Sequence, residues 1–319
     1  MRIVLAPLNK INLYIKYIRF YLVMDTQDLK VFVAAAELGS FSEAAERIHL
    51  SQPAVSKRIA NLETHLDAKL FDRISRQVFL TEAGQIFLPK ARSILQDLES
   101  TRQALHSLRG EISGRLSIAI SHHLGLHRLP PILKTYAETY PDVDLDVAFS
   151  DSEKAYDEVL HGSVEVAVNT LALTPQPKIT ELQLWTDQMH FVCTAEHPLA
   201  KMKHPTLKDL SNHRCLIPDT TTFTGRLLQE AFNREGLTLK PLMSTNFLQT
   251  LGKMTEIGLG WSMLPETLID TDKLYQLPIE LPLGRRLGLI HHAERTLSSA
   301  AMAFIEVCRK EVGHESFPN

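Results

Sequence analysis

Cysteine is scarce in this chain: Cys193, Cys215 and Cys308 are the only three in 319 residues. They have neither the short paired spacing of a zinc site nor the density of a disulfide framework, so ordinary thiols in a reducing compartment are expected. An excess of charge is missing too. Thirty-four basic against 37 acidic residues leave a net charge of −3, which gives no global pull towards nucleic acid, so any such contact must rest on a local patch. No apolar run is long enough to span a bilayer or to direct secretion. Lys10, Lys16 and Arg19 interrupt the apolar stretch within residues 1–23, and no small-residue cleavage site follows it. There is no nucleophile elbow, phosphate loop, zinc-peptidase helix or dinucleotide fingerprint. The expectation is a cytoplasmic protein that is not an enzyme and carries no cofactor.

What is present suits a soluble protein of two or three domains, with 44% apolar and 22% charged residues. The strongest local pattern runs from Met24 to Thr81. Its centre is Leu50-Ser51-Gln52-Pro53-Ala54-Val55-Ser56-Lys57-Arg58-Ile59-Ala60-Asn61-Leu62-Glu63. Ser51 is placed to cap a helix, and Pro53 is tolerated in a first turn, where its missing N–H would be unsatisfied anyway. Val55, Ile59 and Leu62 form one apolar stripe, leaving Gln52, Pro53, Ser56 and Lys57 on the opposite, polar face. Upstream, Leu29, Phe32, Val33 and Ala36 repeat at helical spacing. Gly39-Ser40-Phe41-Ser42 then breaks that helix and caps a second one carrying the small Ala44 and Ala45. Three short helices with such a turn predict a helix-turn-helix whose third helix enters a DNA major groove. Residues 70–81 read as two strands around a basic turn, a wing. The local basic patch is Lys57, Arg58, Lys69, Arg73 and Arg76, diluted by Glu63, Asp67 and Asp72.

These residues resemble the DNA-binding domain of LysR-type transcriptional regulators. The likeness is carried by Gly39-Ser40-Phe41-Ser42 with Ala44-Ala45, Ser51-Gln52-Pro53-Ala54-Val55-Ser56, Leu62-Glu63, Leu70-Phe71, Arg73, Arg76, Leu80-Thr81 and Ala83-Gly84. Two positions depart from the family pattern: Asp67 stands where Gly is usual, and Lys57 where Arg is commoner. Aspartate tolerates a left-handed turn, whereas lysine keeps the charge but loses the bidentate fork. The resemblance implies that Gln52, Pro53, Ser56 and Lys57 face bases in the major groove of double-stranded DNA, and that Ser42 and Ser51 also contact the DNA. It implies further that Arg73 and Arg76 reach phosphate or the minor groove. It begins at Met24-Asp25, which sets residues 1–23 apart as an N-terminal extension, loosely held or the product of an upstream start codon.

Beyond the winged helix at 24–81, Phe87, Ala91, Ile94, Leu98, Thr101, Leu105 and Leu108 alternate spacings of four and three. This predicts a linker helix over 82–111 with a coiled-coil seam. The alternative is one amphipathic helix lying on its own domain. Pro89 should bend the helix, and Gly110 and Gly114 should end it. From residue 112 onward, strand runs such as 116–120, 143–147 and 164–168 alternate with helical stretches, and the pattern restarts after Trp185. Strand–helix alternation predicts α/β architecture on parallel sheet. Two such lobes, about 112–184 with 288–319 and about 185–287, resemble the family's effector domain, which is like a periplasmic binding protein. The expected fold class is therefore α+β multidomain: winged helix-turn-helix, long linker helix, then a two-lobed α/β effector domain at 112–319. The resemblance also implies a homodimer through the linker helix, paired further into a homotetramer.

A ligand of such lobes sits between them, at strand ends and helix N-termini. The stretches meeting that condition are Ser121-His122-His123, Asn169-Thr170, Thr220-Thr221-Thr222-Phe223 and Ser244-Thr245-Asn246-Phe247, the last through Asn246 and Phe247. With hydroxyls, amides and imidazoles but no obvious fixed cation, they predict a small, polar, carboxylate-bearing metabolite. His122-His123 and His291-His292 lack a carboxylate or thiolate at ligand spacing, so no metal is expected. Thiol-based redox sensing is the alternative signal, and a solute-binding protein the alternative class. The latter is disfavoured by the winged helix and the lack of a secretion signal.

Overall fold

The computed structural model describes residues 25–74, 77–107, 112–279, 281 and 283–314. The extension 1–23, Arg76, Leu108 and Gly110 lie outside the described residues. The chain parts into two compact units between Glu99 and Ser100.

The first unit is built from α1 (Thr26–Leu38), α2 (Phe41–Arg47), α3 (Gln52–Leu66), β1 (Phe71–Ile74), β2 (Gln77–Leu80) and the first part of α4 (Glu82–Ser107). Each boundary has a chemical cause. Asp25 caps α1, and Gly39, at φ 61°, turns the chain out of it while its N–H bonds Ala35. Ser40 caps α2 and Ser51 caps α3. Asp67 ends α3 in the left-handed conformation, φ 50°, that the family's glycine would take without strain. Leu29, Phe32, Ala44, Ala45, Val55, Ile59, Leu62 and Phe71 close the core. Buried Glu63 ties α3 to the wing by accepting the Leu70 and Phe71 N–H groups at 2.9 and 3.3 Å and Lys69 Nζ at 2.9 Å. Burial alone would raise its pKa, but the Lys69 and backbone hydrogen bonds outweigh it and lower it.

α4 runs continuously through Pro89. The expected seam divides along its length. Phe87 and Ala91 turn inward and pack, with Leu88 and Leu95, on the winged-helix core. Ile94 is left 41% exposed. The first part of the helix thus packs on its own domain, as the alternative reading expected, and Ile94 is left outside that packing.

The second unit holds β3 (Gly114–Ile120), α5 (His122–His127), α6 (Leu129–Thr139), β4 (Val143–Phe149), α7 (Ser152–Leu160), β5 (Val166–Thr170) and β6 (Ile179–Cys193). These are followed by α8 (Leu207–Asn212), β7 (Cys215–Ile217), α9 (Phe223–Arg234), β8 (Pro241–Ser244), α10 (Leu248–Glu256), β9 (Trp261–Pro265), β10 (Tyr275–Gln276), β11 (Gly284–His292) and α11 (Ser299–His314). The strand order is β4-β3-β5-β11-β6-β9-β7-β8, with β10 also on β6. The expected α/β architecture is present, and its parallel pairing is joined by antiparallel strands: the sheet is mixed. β3 pairs parallel with β4 and β5, and β7 with β8 and β9, whereas β11 and β6 pair antiparallel with their neighbours. The antiparallel pair is how the chain leaves one lobe and returns. β6 carries it out, β11 brings it back, and the two lie side by side in register from Gly284↔Gln188 to His292↔Ile179, with one bulge.

Each lobe keeps its own core. In the first, Leu116, Ile118, Tyr136, Val168, Leu289 and Phe304 pack together, and the Tyr136 hydroxyl donates to Ala300 O at 2.8 Å. In the second, Phe191, Phe232 and Trp261 dominate, and the Trp261 indole N–H donates to Leu210 O at 2.9 Å.

Candidate functional site

On α3 the buried stripe is Val55, Ile59 and Leu62, and the opposite face carries the foreseen polar group. Ser51 Oγ accepts the Ala54 N–H at 3.4 Å. Gln52, Pro53 and Lys57 are exposed and Ser56 half-buried, with Gln52 Nε2 donating to Ser56 Oγ at 3.0 Å. Ser42 is exposed on α2. The basic patch is smaller than its residue count suggests. Arg58 is held by Asp28 at 2.6 Å, and Lys69 by Glu63 at 2.9 Å. Lys57 and Arg73 stay exposed. The Arg73 guanidinium lies over the Phe41 ring, 4.9 Å from its centroid, which steadies it without covering its donors.

In the second unit a cleft of about 60 Å3, room for a handful of waters, lies between the lobes. The N-termini of three helices of nine or more residues, α7, α9 and α10, line it. Eight foreseen residues line it: Ser121, His122, His123, Thr170, Thr222, Phe223, Asn246 and Phe247. Asn169, Thr220 and Thr221 do not. Asn169 is fully buried behind the cleft wall with its Nδ2 on Ser152 O, and Thr221 donates to Asp219 in the turn before α9. The paired histidines point apart. His122 sets its ring edge-on to Phe149 and Phe247, at 5.7 and 5.1 Å, while His123 turns inward and is 6% exposed.

Residues absent from the foreseen set also line the cleft: Ser150, Asp151, Ser152, Glu153, Pro218, Thr224, Leu248 and Arg285. The first four sit at a strand end before a helix, so the rule that picked the other stretches would have found them. Arg285 stands inside β11 and had no local signal. It corrects the expectation of a cleft without a fixed cation.

Arg285 lies directly opposite Asp187 in the β11–β6 ladder and gives it two hydrogen bonds, Nε at 3.2 and Nη2 at 2.7 Å. His123 Nε2 is 3.3 Å and Arg128 Nη2 3.6 Å from the same carboxylate. Burial alone would raise the Asp187 pKa, but the His123 hydrogen bond and the Arg285 charge overcome it and hold it at about 2. Burial lowers the pKa of His123.

Several hydrogen bonds join the lobes across the cleft. Asn246 Nδ2 donates to Asp151 Oδ2 at 3.1 Å, and Gln249 Nε2 and His127 Nε2 share a contact of 3.1 Å. The Phe223 N–H at the start of α9 donates to the Glu153 carboxylate. Burial raises the pKa of Glu153.

The three thiols, by contrast, are fully buried, and burial pushes Cys193 and Cys215 up to about 11 and Cys308 up to about 12. Among the described residues no helix is long and apolar enough to cross a membrane.

Two family models match the chain. Residues 26–85 fit the bacterial regulatory helix-turn-helix protein of the lysR family, and residues 109–313 fit the LysR substrate binding domain. A regulator encoded in the ibpB-leuC intergenic region of Azotobacter vinelandii is 63% identical over 108 residues, 34% of this chain and 75% of that protein. The RuBisCO operon transcriptional regulator of Allochromatium vinosum is 28% identical over 291 residues, 89% of this chain and 95% of that one. Among solved structures, a full-length OxyR variant from Pseudomonas aeruginosa superposes with a TM-score of 0.71 at 21% identity, covering 91% of this chain and 95% of that chain. Full-length CbnR complexed with its target DNA gives 0.62 at 21% identity, covering 90% and 99%. The chain belongs to the LysR family: it is a DNA-binding transcriptional regulator with a helix-turn-helix domain followed by an effector-binding domain.

Proposed function

We propose that this regulator reads its operator through the exposed face of α3, responds to a small polar metabolite held between the lobes, and works in the cytoplasm as a homotetramer. In this reading residues 24–81 bind DNA, 82–111 dimerise and 112–319 hold the effector. Gln52, Pro53, Ser56 and Lys57 meet base edges, Ser42 and Ser51 phosphate, and Arg73 and Arg76 phosphate or the minor groove. The observation that carries the metabolite half is one cleft, lined from both lobes at three helix N-termini, with a buried guanidinium in its wall. That chemistry suits a carboxylate. Burial and raised thiol pKa values speak against cysteine-based redox sensing, because the reactive species is the thiolate. Signal transfer follows from linkage: a ligand shifts the favoured DNA-bound arrangement by no more than its difference in affinity for the two.

The DNA half is tested by anisotropy titrations on operator and on random duplex. Gln52→Ala should cost about 1–3 kcal/mol at one operator position and leave random DNA untouched. Arg73→Ala should weaken both duplexes equally and reduce the salt slope by about one. Equal losses on both duplexes for Gln52→Ala would remove base reading from that residue.

A further inference from the structure

We infer that the effector is dipolar: a small α-amino acid or close relative, whose carboxylate and ammonium groups both bind in the cleft. This rests on the reading of the cleft as the effector site and adds the class of ligand. The argument is one of charge balance. Arg285 is the one Lys or Arg among the described residues lining the cleft, and Asp187 already opposes its charge at 2.7 Å. The same lining carries two carboxylates, Asp151 and Glu153. Arg226, at 3.8 Å, is the cation facing Glu153, and its side chain is 41% exposed, so water screens much of that attraction. A ligand bearing only negative charge would bring its anion into a space that holds two acidic side chains.

The positive features of the cleft are also divided. The first N–H of α9 is already taken by Glu153, and Asp151, at the N-cap of α7, sets a negative charge beside that terminus without bonding its N–H groups. α10 starts at Phe247, with no side chain capping it, so its first-turn N–H groups are open to a carboxylate. His123 supplies a second and independent sign of a ligand. It lines the cleft, it is buried to 6% exposure, and its Nδ1 has no hydrogen-bond partner among the described residues. A buried imidazole nitrogen without a partner is costly, and a bound polar group would relieve it. The ligand carboxylate is therefore assigned to the α10 terminus and the Arg285 wall, and the ammonium to Asp151 and Glu153.

The test is calorimetric titration of the full chain with the common L-amino acids, their 2-hydroxy-acid counterparts of identical side chain, and the matching primary amines. An amino acid should bind about tenfold or more tightly than its hydroxy-acid twin, the size of one partly desolvated ion pair. Glu153→Gln and Asp151→Asn should narrow that ratio by weakening the amino acid alone. Circular dichroism melting establishes that both variants are folded. A hydroxy acid that binds as well as its amino-acid twin, or a ratio unchanged in both folded variants, overturns the dipolar ligand and leaves the cleft as effector site. Tighter hydroxy-acid binding in Glu153→Gln with no change for the amino acid also overturns it, because Glu153 is then only a latch between the lobes. Binding by none of the compounds overturns the dipolar ligand and leaves the cleft reading to be decided with other polar metabolites.

Discussion

Asp187 is the residue on which the two lobes and the cleft wall meet. It accepts from Arg285 across the ladder, faces His123 and Arg128, and is itself 4% exposed. A buried pair of this kind contributes little against an apolar substitute, yet breaking one half leaves the other charge stranded. Arg285→Met should therefore destabilise the effector-binding unit by about 3–5 kcal/mol, read as a shift in urea midpoint. Acid should act in the same direction on the wild type. The Asp187 pKa is about 2 in the fold against an ordinary 3.8, so its contribution is whole above pH 3.8 and is lost as pH falls through 2. That contribution amounts to about 2 kcal/mol. His123 is kept neutral by burial, so the unfolded chain takes its proton more readily, and stability already declines as pH drops below the ordinary 6.5. Urea unfolding from pH 7 to pH 2 should show the His123 step and then the Asp187 step, and Asp187→Asn should abolish the lower one. A wild type equally stable at pH 7 and pH 3 would contradict this account of the cluster.

Among the elements, α4 carries one sequence pattern whose residues part in their burial, and the coiled-coil proposal rests on the exposed ones. Phe87 and Ala91 are part of the winged-helix core, while Ile94, the next residue of the same seam, is open to solvent. The physical consequence is a division of effects. Ile94→Asp should lower the molar mass measured by light scattering and leave the winged helix within about 0.5 kcal/mol of its stability. Phe87→Ala should cost about 2 kcal/mol or more of fold stability. An unchanged mass for Ile94→Asp would mean that the seam lies elsewhere. Elements set by local chemistry were legible in the sequence: the Ser51 cap, the Val55–Ile59–Leu62 stripe and the left-handed Asp67 all follow from residues within one or two turns. The cleft was legible for the same reason, since strand ends and caps mark Ser121, Thr222 and Asn246. What stayed hidden depends on register between distant strands. Arg285 meets Asp187 across 98 residues, and Glu153 meets Phe223 across 70. The first ten residues of β6 hid as well, because their polar side chains interrupt the apolar alternation a strand is recognised by.

At the scale of the molecule, the chain holds separate cores. One is closed by residues between Leu29 and Ala91, and the others by residues from Leu116 to Cys308. Apolar contact and shared sheet make unfolding cooperative. The two lobes share the β6–β11 ladder whereas the winged helix has its own core, so the two units should melt as separate transitions. Scanning calorimetry of the full chain should resolve two. Each ligand then labels its own unit, because a molecule that binds only the folded form raises stability by about 2.7 kcal/mol at a hundred times its Kd. Operator DNA should move the transition belonging to residues 25–99, and a cleft-binding acid or amino acid should move the other. Adding both together measures how far the units communicate. The departure from simple addition is the coupling free energy, about 1–3 kcal/mol in a working allosteric protein, and the same value must emerge whichever ligand is added first. Strict addition would leave the protein able to bind DNA and metabolite but unable to connect them. A single transition raised by either ligand alone would mean that the cores are not independent, and the division at Glu99 would have no energetic counterpart.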